Sequence, residues 1–288
     1  WLKPFGPSRG DGEPSGPPLG RRKDLRPQAM EPPTKRPAGA RGPASVQVVV
    51  ADTPDKIPAS PVDGKITTVY WDICGLGQPI RYALEIAGAD YVDVRVVPGP
   101  GDPGTPGYKQ MWFDKKPDLD KAMVFPNLPY LLDGDVALAQ SNTILRHIGR
   151  KFGLLGAPSM ASTVDLILDQ CADFDGESTG RCYRDFQSMR QYCQEALPGK
   201  LEHWARLLGS KPFMTGDNVT VADLKVYETL RKLLIIEAQP EIGTNTLQGF
   251  KVLLEFLDRV EALPAMHAYR KSPAFMERPL NNAHAQFK

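Results

Sequence analysis

The sequence predicts an α/β domain followed by an all-α domain, the pair preceded by a disordered extension. Three observations carry this. Residues 65–155 alternate between short β-branched runs and helical periodicities. After residue 155 the signal is almost wholly helical. Residues 1–63 hold 13 of the 28 prolines and few large apolar side chains. Such a segment buries too little surface to offset its ordering entropy, so it is expected to be disordered. The expected limits are an extension at 1–63, an α/β domain at 64–152 and a helical domain at 159–288.

Within the extension, Val46-Gln47-Val48-Val49-Val50 is the one patch with strand composition, able to add a strand to the folded body. The basic runs Arg21-Arg22-Lys23 and Lys35-Arg36-Pro37 read as a solvated tail. Acids interleaved with them weaken a transit-peptide reading, and organelle targeting stays open. Ile66–Tyr70 then reads as a strand. Pro79–Ala87 reads as an amphipathic helix opened by proline and stopped by Gly88. Val92–Val97 is strand-like, and Pro98–Gly107 is too rich in breakers for regular structure. Tyr130–Leu132 and Val136–Ala139 form a hairpin around Asp133-Gly134-Asp135. Ser141–Phe152 is a helix with Ser141 as its expected N-cap. Helical spacing returns at Ser162–Cys182, Glu195–Leu208, Thr220–Ile235 and Leu247–Ala262, before a proline-broken tail. Thr220 with Asp223 three residues later is a capping-box signature.

Composition excludes several functions. With 24% charged residues and a net charge of +1, the chain has no electrostatic footprint for nucleic acid. No run of 18 apolar residues offers a membrane span. Cys74, Cys171, Cys182 and Cys193 lack C-x-x-C spacing, which argues for a reducing compartment and against a disulfide framework or zinc site.

The richest stretch runs from Val69 to Arg81: a strand, a glycine-broken turn and a proline-opened helix. It places the phenol of Tyr70 where it can donate a hydrogen bond to something bound at the helix start. Gln140-Ser141 precedes another helix, whose free N–H groups and partial positive charge suit an anion. In Lys109-Gln110-Met111-Trp112-Phe113-Asp114-Lys115-Lys116, a lysine cation together with an indole N–H suits a carboxylate. In Asn127-Leu128-Pro129, a proline before a strand is a candidate cis bond.

Tyr70-Trp71-Asp72-Ile73-x-Gly75-Leu76, together with these later pieces, resembles the mu class of cytosolic glutathione transferases over roughly residues 65–275. The resemblance implies a thioredoxin-like N-terminal domain and an all-α C-terminal domain. It implies that Tyr70 stabilises the thiolate of glutathione, a co-substrate, for attack on a hydrophobic electrophile, with no metal or other cofactor. Trp71 and Leu76 are expected to line the glutathione site. Lys109, Trp112 and Lys116 would hold its glycyl carboxylate, Asn127, Leu128 and Pro129 its cysteinyl unit, and Gln140 and Ser141 its γ-glutamyl carboxylate. Asp173 would reach across a homodimer to the γ-glutamyl amine, and Tyr183 would face the electrophile. Phe125 resembles the aromatic key of that dimer interface. Cys74 stands where the family carries arginine, and Gly176 and Thr179 replace larger residues, which makes the electrophile pocket more open or more polar. A cytoplasmic location follows from the same resemblance. Two alternatives accompany this reading: a non-catalytic scaffold subunit of the same fold, and a sigma-like glutathione-dependent isomerase.

Overall fold

The computed structural model describes residues 42–288. The basic runs of the extension, and most of its expected disorder, lie outside the described residues. In chain order the strands are β1 (Ser45–Ala51), β2 (Ile66–Trp71), β3 (Asp90–Val96), β4 (Tyr130–Asp133) and β5 (Val136–Ala139). In space they run β1-β3-β2-β4-β5. The first three are parallel, and β4 and β5 are antiparallel to their neighbours. Parallel pairing of β2 and β3 requires a crossover, supplied by α1 (Gln78–Ile86). β3 is buried from Tyr91 to Val96, which explains its near-continuous valine pattern.

The first strand corrects the expected extension. Ser45–Ala51 pairs along its whole length with β3, Ala51 is fully buried, and two short turns then lead into β2. The β-branched run has a complete ladder to join, and those hydrogen bonds offset the chain entropy that composition alone suggested would win.

Two further helices complete this half, α2 (Gln110–Leu119) and α3 (Ser141–Phe152). The helical half contains α4 (Ala161–Arg184) and α5 (Met189–Gln191), which passes through a π turn at Tyr192–Ala196 into α6 (Leu197–Leu208). It continues with α7 (Val221–Glu237), α8 (Lys251–Glu261) and α9 (Pro264–Lys271). Ser141 is not the N-cap of α3. Gln140 occupies that place in a left-handed conformation, φ +71°, and Ser141 is the first helical residue. The last helix, α9, was expected to be broken chain; its proline sits at the helix start, where the missing N–H has no role.

α1 and α7 are buried almost throughout, so their polar groups must find partners. Arg81 and Arg95 both donate to Asp93. Glu228 accepts from Tyr82 and from Arg231. The Asp223 carboxylate takes the Thr220 N–H and hydroxyl and the Met214 N–H, the expected capping box extended by one donor.

Candidate functional site

Between β2 and α1 the chain turns through Asp72–Gly77, and the turn packs directly on the Tyr70 ring. A Cβ at Gly75 would lie 2.6 Å from the Tyr70 hydroxyl, and one at Gly77 would lie 2.6 Å from Cδ1. Gly75 also has φ +39°. Only glycine leaves room for the ring under the turn. The Leu76 N–H donates to the Tyr70 hydroxyl oxygen at 3.2 Å. That bond uses an acceptor position and leaves the phenolic proton free to donate. Burial pushes the Tyr70 phenol up to about 12, against the smaller opposing pull of the Leu76 N–H. The group is therefore a neutral donor at physiological pH.

Tyr70 lines a cleft of about 460 Å³ with Leu76, Gln140, Ser141 and Tyr183. The helical side of the cleft adds Asp175, Gly176 and Thr179 from α4 and Lys225 and Lys232 from α7. Asp175 and Lys232 form a buried ion pair. Burial raises the Asp175 carboxyl, but Lys232 and Lys225 beside it pull further down and leave it below its ordinary value.

The C-terminal segment closes one end. Its Pro279 and Leu280 carbonyls accept from Cys74 N–H at 2.9 Å and Gly75 N–H at 3.1 Å, tying the turn in place. Its Asn282 N–H donates to the Tyr183 hydroxyl at 2.9 Å, and Asn281 reaches the cleft. The Ala283 N–H donates to the hydroxyl of buried Tyr108. Tyr183 and Tyr108 both pack on His284. Cys74 does not leave its neighbourhood uncharged: Arg231 comes from α7 to within 3.9 Å of its sulfur and stays paired to Glu228.

Of the residues expected to form the site, the cleft gathers Tyr70, Leu76, Gln140, Ser141 and Tyr183. The others sit around it. Trp71 and Trp112 are core residues, the latter 6.3 Å from the Tyr130 ring. Lys109 precedes α2 and Lys116 lies within it, both partly exposed. The Leu128-Pro129 bond is cis, and exposed Asn127 accepts from the Leu128 N–H at 3.0 Å. Asp173 is exposed on α4, and Phe125 is 82% exposed with φ +61°.

Family models named Glutathione S-transferase, N-terminal domain, and Glutathione S-transferase, C-terminal domain, match residues 67–150 and 172–273. The chain is 37% identical over 218 residues to Glutathione S-transferase 2 of Gallus gallus, covering 75% of this chain and 94% of that protein. It is 34% identical, over the same shares, to Glutathione S-transferase Mu 4 of Homo sapiens. The chain is a mu-like member of the glutathione S-transferase family. Its fold matches that of a pi-class glutathione S-transferase from Onchocerca volvulus, with a TM-score of 0.63, 24% identity and coverage of 77% of this chain and all of that one.

Sequence reasoning gave no role to most of the polar wall of the cleft: Asp175, Lys225, Lys232 and Asn281. One signal was present. Lys225 and Lys232 are seven residues apart, two turns on one face of a helix otherwise made for burial. The ion-pair partner of Lys232, Asp175, lies more than 50 residues away in sequence, and only packing of α4 on α7 brings it there.

Proposed function

We propose that this transferase binds reduced glutathione in the Tyr70 cleft and conjugates its sulfur to a hydrophobic electrophile. The observation that carries the proposal is the Tyr70 hydroxyl, protonated, anchored by Leu76 and lining the cleft with its proton free. A thiol near its ordinary value is mostly un-ionised at neutral pH. A donor directed at the sulfur favours the thiolate, the proton of the thiol passing to solvent. The thiolate then attacks the electrophilic carbon. With an aryl chloride the C–S bond forms, the C–Cl bond breaks, and chloride leaves with the bonding electrons. Holding both partners in one cleft supplies proximity. Gln140 and Ser141 at the start of α3 meet the γ-glutamyl carboxylate, and Lys109, Trp112 and Lys116 the glycyl carboxylate. This chemistry asks for glutathione as co-substrate and for no resident metal or redox group.

The working unit is a homodimer. Phe125 projects from the surface in a strained backbone conformation. A concavity of about 350 Å³ sets Leu166, Phe174, Trp204 and Leu207 inside a rim that includes Glu177, Lys200 and Arg206, and its apolar part would take the ring on a second copy. Asp173 lies on the same helix as Leu166 and would reach the partner's glutathione. No helix among the described residues is long and apolar enough to cross a membrane, and the proposed location is the cytoplasm.

The deciding experiment is conjugation of glutathione to 1-chloro-2,4-dinitrobenzene by the native protein and by Tyr70→Phe. A measurable native rate that falls about 10²-fold in the variant, with glutathione still bound, is the expected result. Equal rates in the two proteins would remove Tyr70 from the chemistry.

A further inference from the structure

Lys225 is 2% exposed, lines the cleft, and among the described residues makes no side-chain hydrogen bond and no ion pair. It differs in this from the other buried cations of α7. Arg231 is held by Glu228, and Lys232 by Asp175. The charged side chains lining the cleft are Lys225, Lys232 and Asp175, two cations against one anion. Asp175 is committed to Lys232, and the Cys171 thiol beside Lys225 stays neutral because burial raises its value to about 11. Two buried cations thus share the field of one carboxylate that is ion-paired to Lys232 alone; a buried cation with no direct partner of its own is costly, and a fold keeps one where a ligand supplies the counter-charge. Leucine or methionine at this position would fill the same space without that cost.

We propose that Lys225 is an oxyanion subsite of the cleft, taking a carboxylate or a comparable oxyanion that the start of α3 does not already accommodate. The inference rests on the reading of the cleft as a glutathione-conjugation site, and two molecules there can bring a carboxylate: the electrophile and glutathione itself. A carboxylate-bearing electrophile is the occupant that would make Lys225 a determinant of specificity.

The test compares two unreactive probes of equal shape, 3-nitrobenzoate and 3-nitrobenzamide, binding to the native protein and to Lys225→Met by calorimetry. Each titration is run with and without saturating S-methylglutathione. The benzoate is expected to bind at least tenfold more tightly than the amide to the native protein, and the ratio to fall to near one in the variant. Lys225→Gln serves as a second neutral variant should Lys225→Met fail to fold. Preference that survives S-methylglutathione places the oxyanion on the electrophile. Preference that S-methylglutathione abolishes places it on glutathione. Both outcomes support the subsite. Equal binding of the probes to the native protein, or a preference retained in both neutral variants, overturns it. If S-methylglutathione itself does not bind, the conjugation reading fails, while the benzoate-to-amide ratio still reports on Lys225.

Discussion

At the scale of single residues, the site depends on two buried polar groups held in opposite ways. Tyr70 is neutral because burial opposes its ionisation, and it can donate because its acceptor position is already used by Leu76. If it stabilises a thiolate, activity rises with pH as the thiol ionises, with a midpoint below the ordinary thiol value of about 8.5. In Tyr70→Phe that midpoint moves upward, so the loss is expected to be larger at pH 6.5 than at pH 9. A pH–rate profile of the two proteins measures it. Asp175 is charged because Lys232 and Lys225 together outweigh its burial. Asp175→Asn leaves Lys232 buried without a counter-charge and is expected to cost about 3–5 kcal/mol in urea unfolding at pH 7. The sign with pH follows from the lowered carboxyl value. The contribution is complete above the unfolded value of 3.8 and is lost as pH falls below it, so native protein and variant converge in acid.

At the scale of elements, the turn between β2 and α1 is shaped by what it covers. Gly75 and Gly77 are not generic loop glycines; each leaves the space that the Tyr70 ring occupies. Gly77→Ala would put a methyl 2.6 Å from Cδ1 of that ring. The ring or the turn must shift, at an expected cost of about 1–3 kcal/mol in stability. Conjugation should fall about tenfold or more, since small displacements of a catalytic group cost large factors in rate. Thermal unfolding and the chlorodinitrobenzene rate, measured together, separate this from a simple loss of fold. α7 shows the complementary case. Its helix could be read from Thr220 onward because capping is local: Asp223 and the Thr220 backbone are three residues apart. Its charged residues could not be placed, because their partners Asp175 and Tyr82 come from α4 and α1.

At the scale of the molecule, β1 widens the sheet beyond the family match, which begins at residue 67. It covers the edge of β3 that would otherwise face solvent. The opposite kind of surface appears at Phe125, where an aromatic ring is left outside at positive φ. The proposed dimer gives that strain a use. Phe125→Ala is expected to raise the dimer dissociation constant about 30-fold or more without unfolding the subunit, read by sedimentation equilibrium. An unchanged dissociation constant would take Phe125 out of the interface.

The sequence by itself determined the order of elements from β2 to α4, the strand–turn–helix that carries Tyr70, the capped start of α7 and the membership of this chain in its family. These rest on local chemistry: periodicity, glycine and proline placement, and side chains that bond within a few residues. Only the tertiary structure decided that the extension contributes β1, that Gln140 rather than Ser141 precedes α3 as its cap, and that the C-terminal segment closes the cleft over Tyr183. It alone brought Asp175 to Lys232 and left Lys225, among the described residues, without an ion pair of its own. A strand is decided by the ladder it can join, and a buried charge by what distant segments bring beside it. Neither is encoded at the position where it acts.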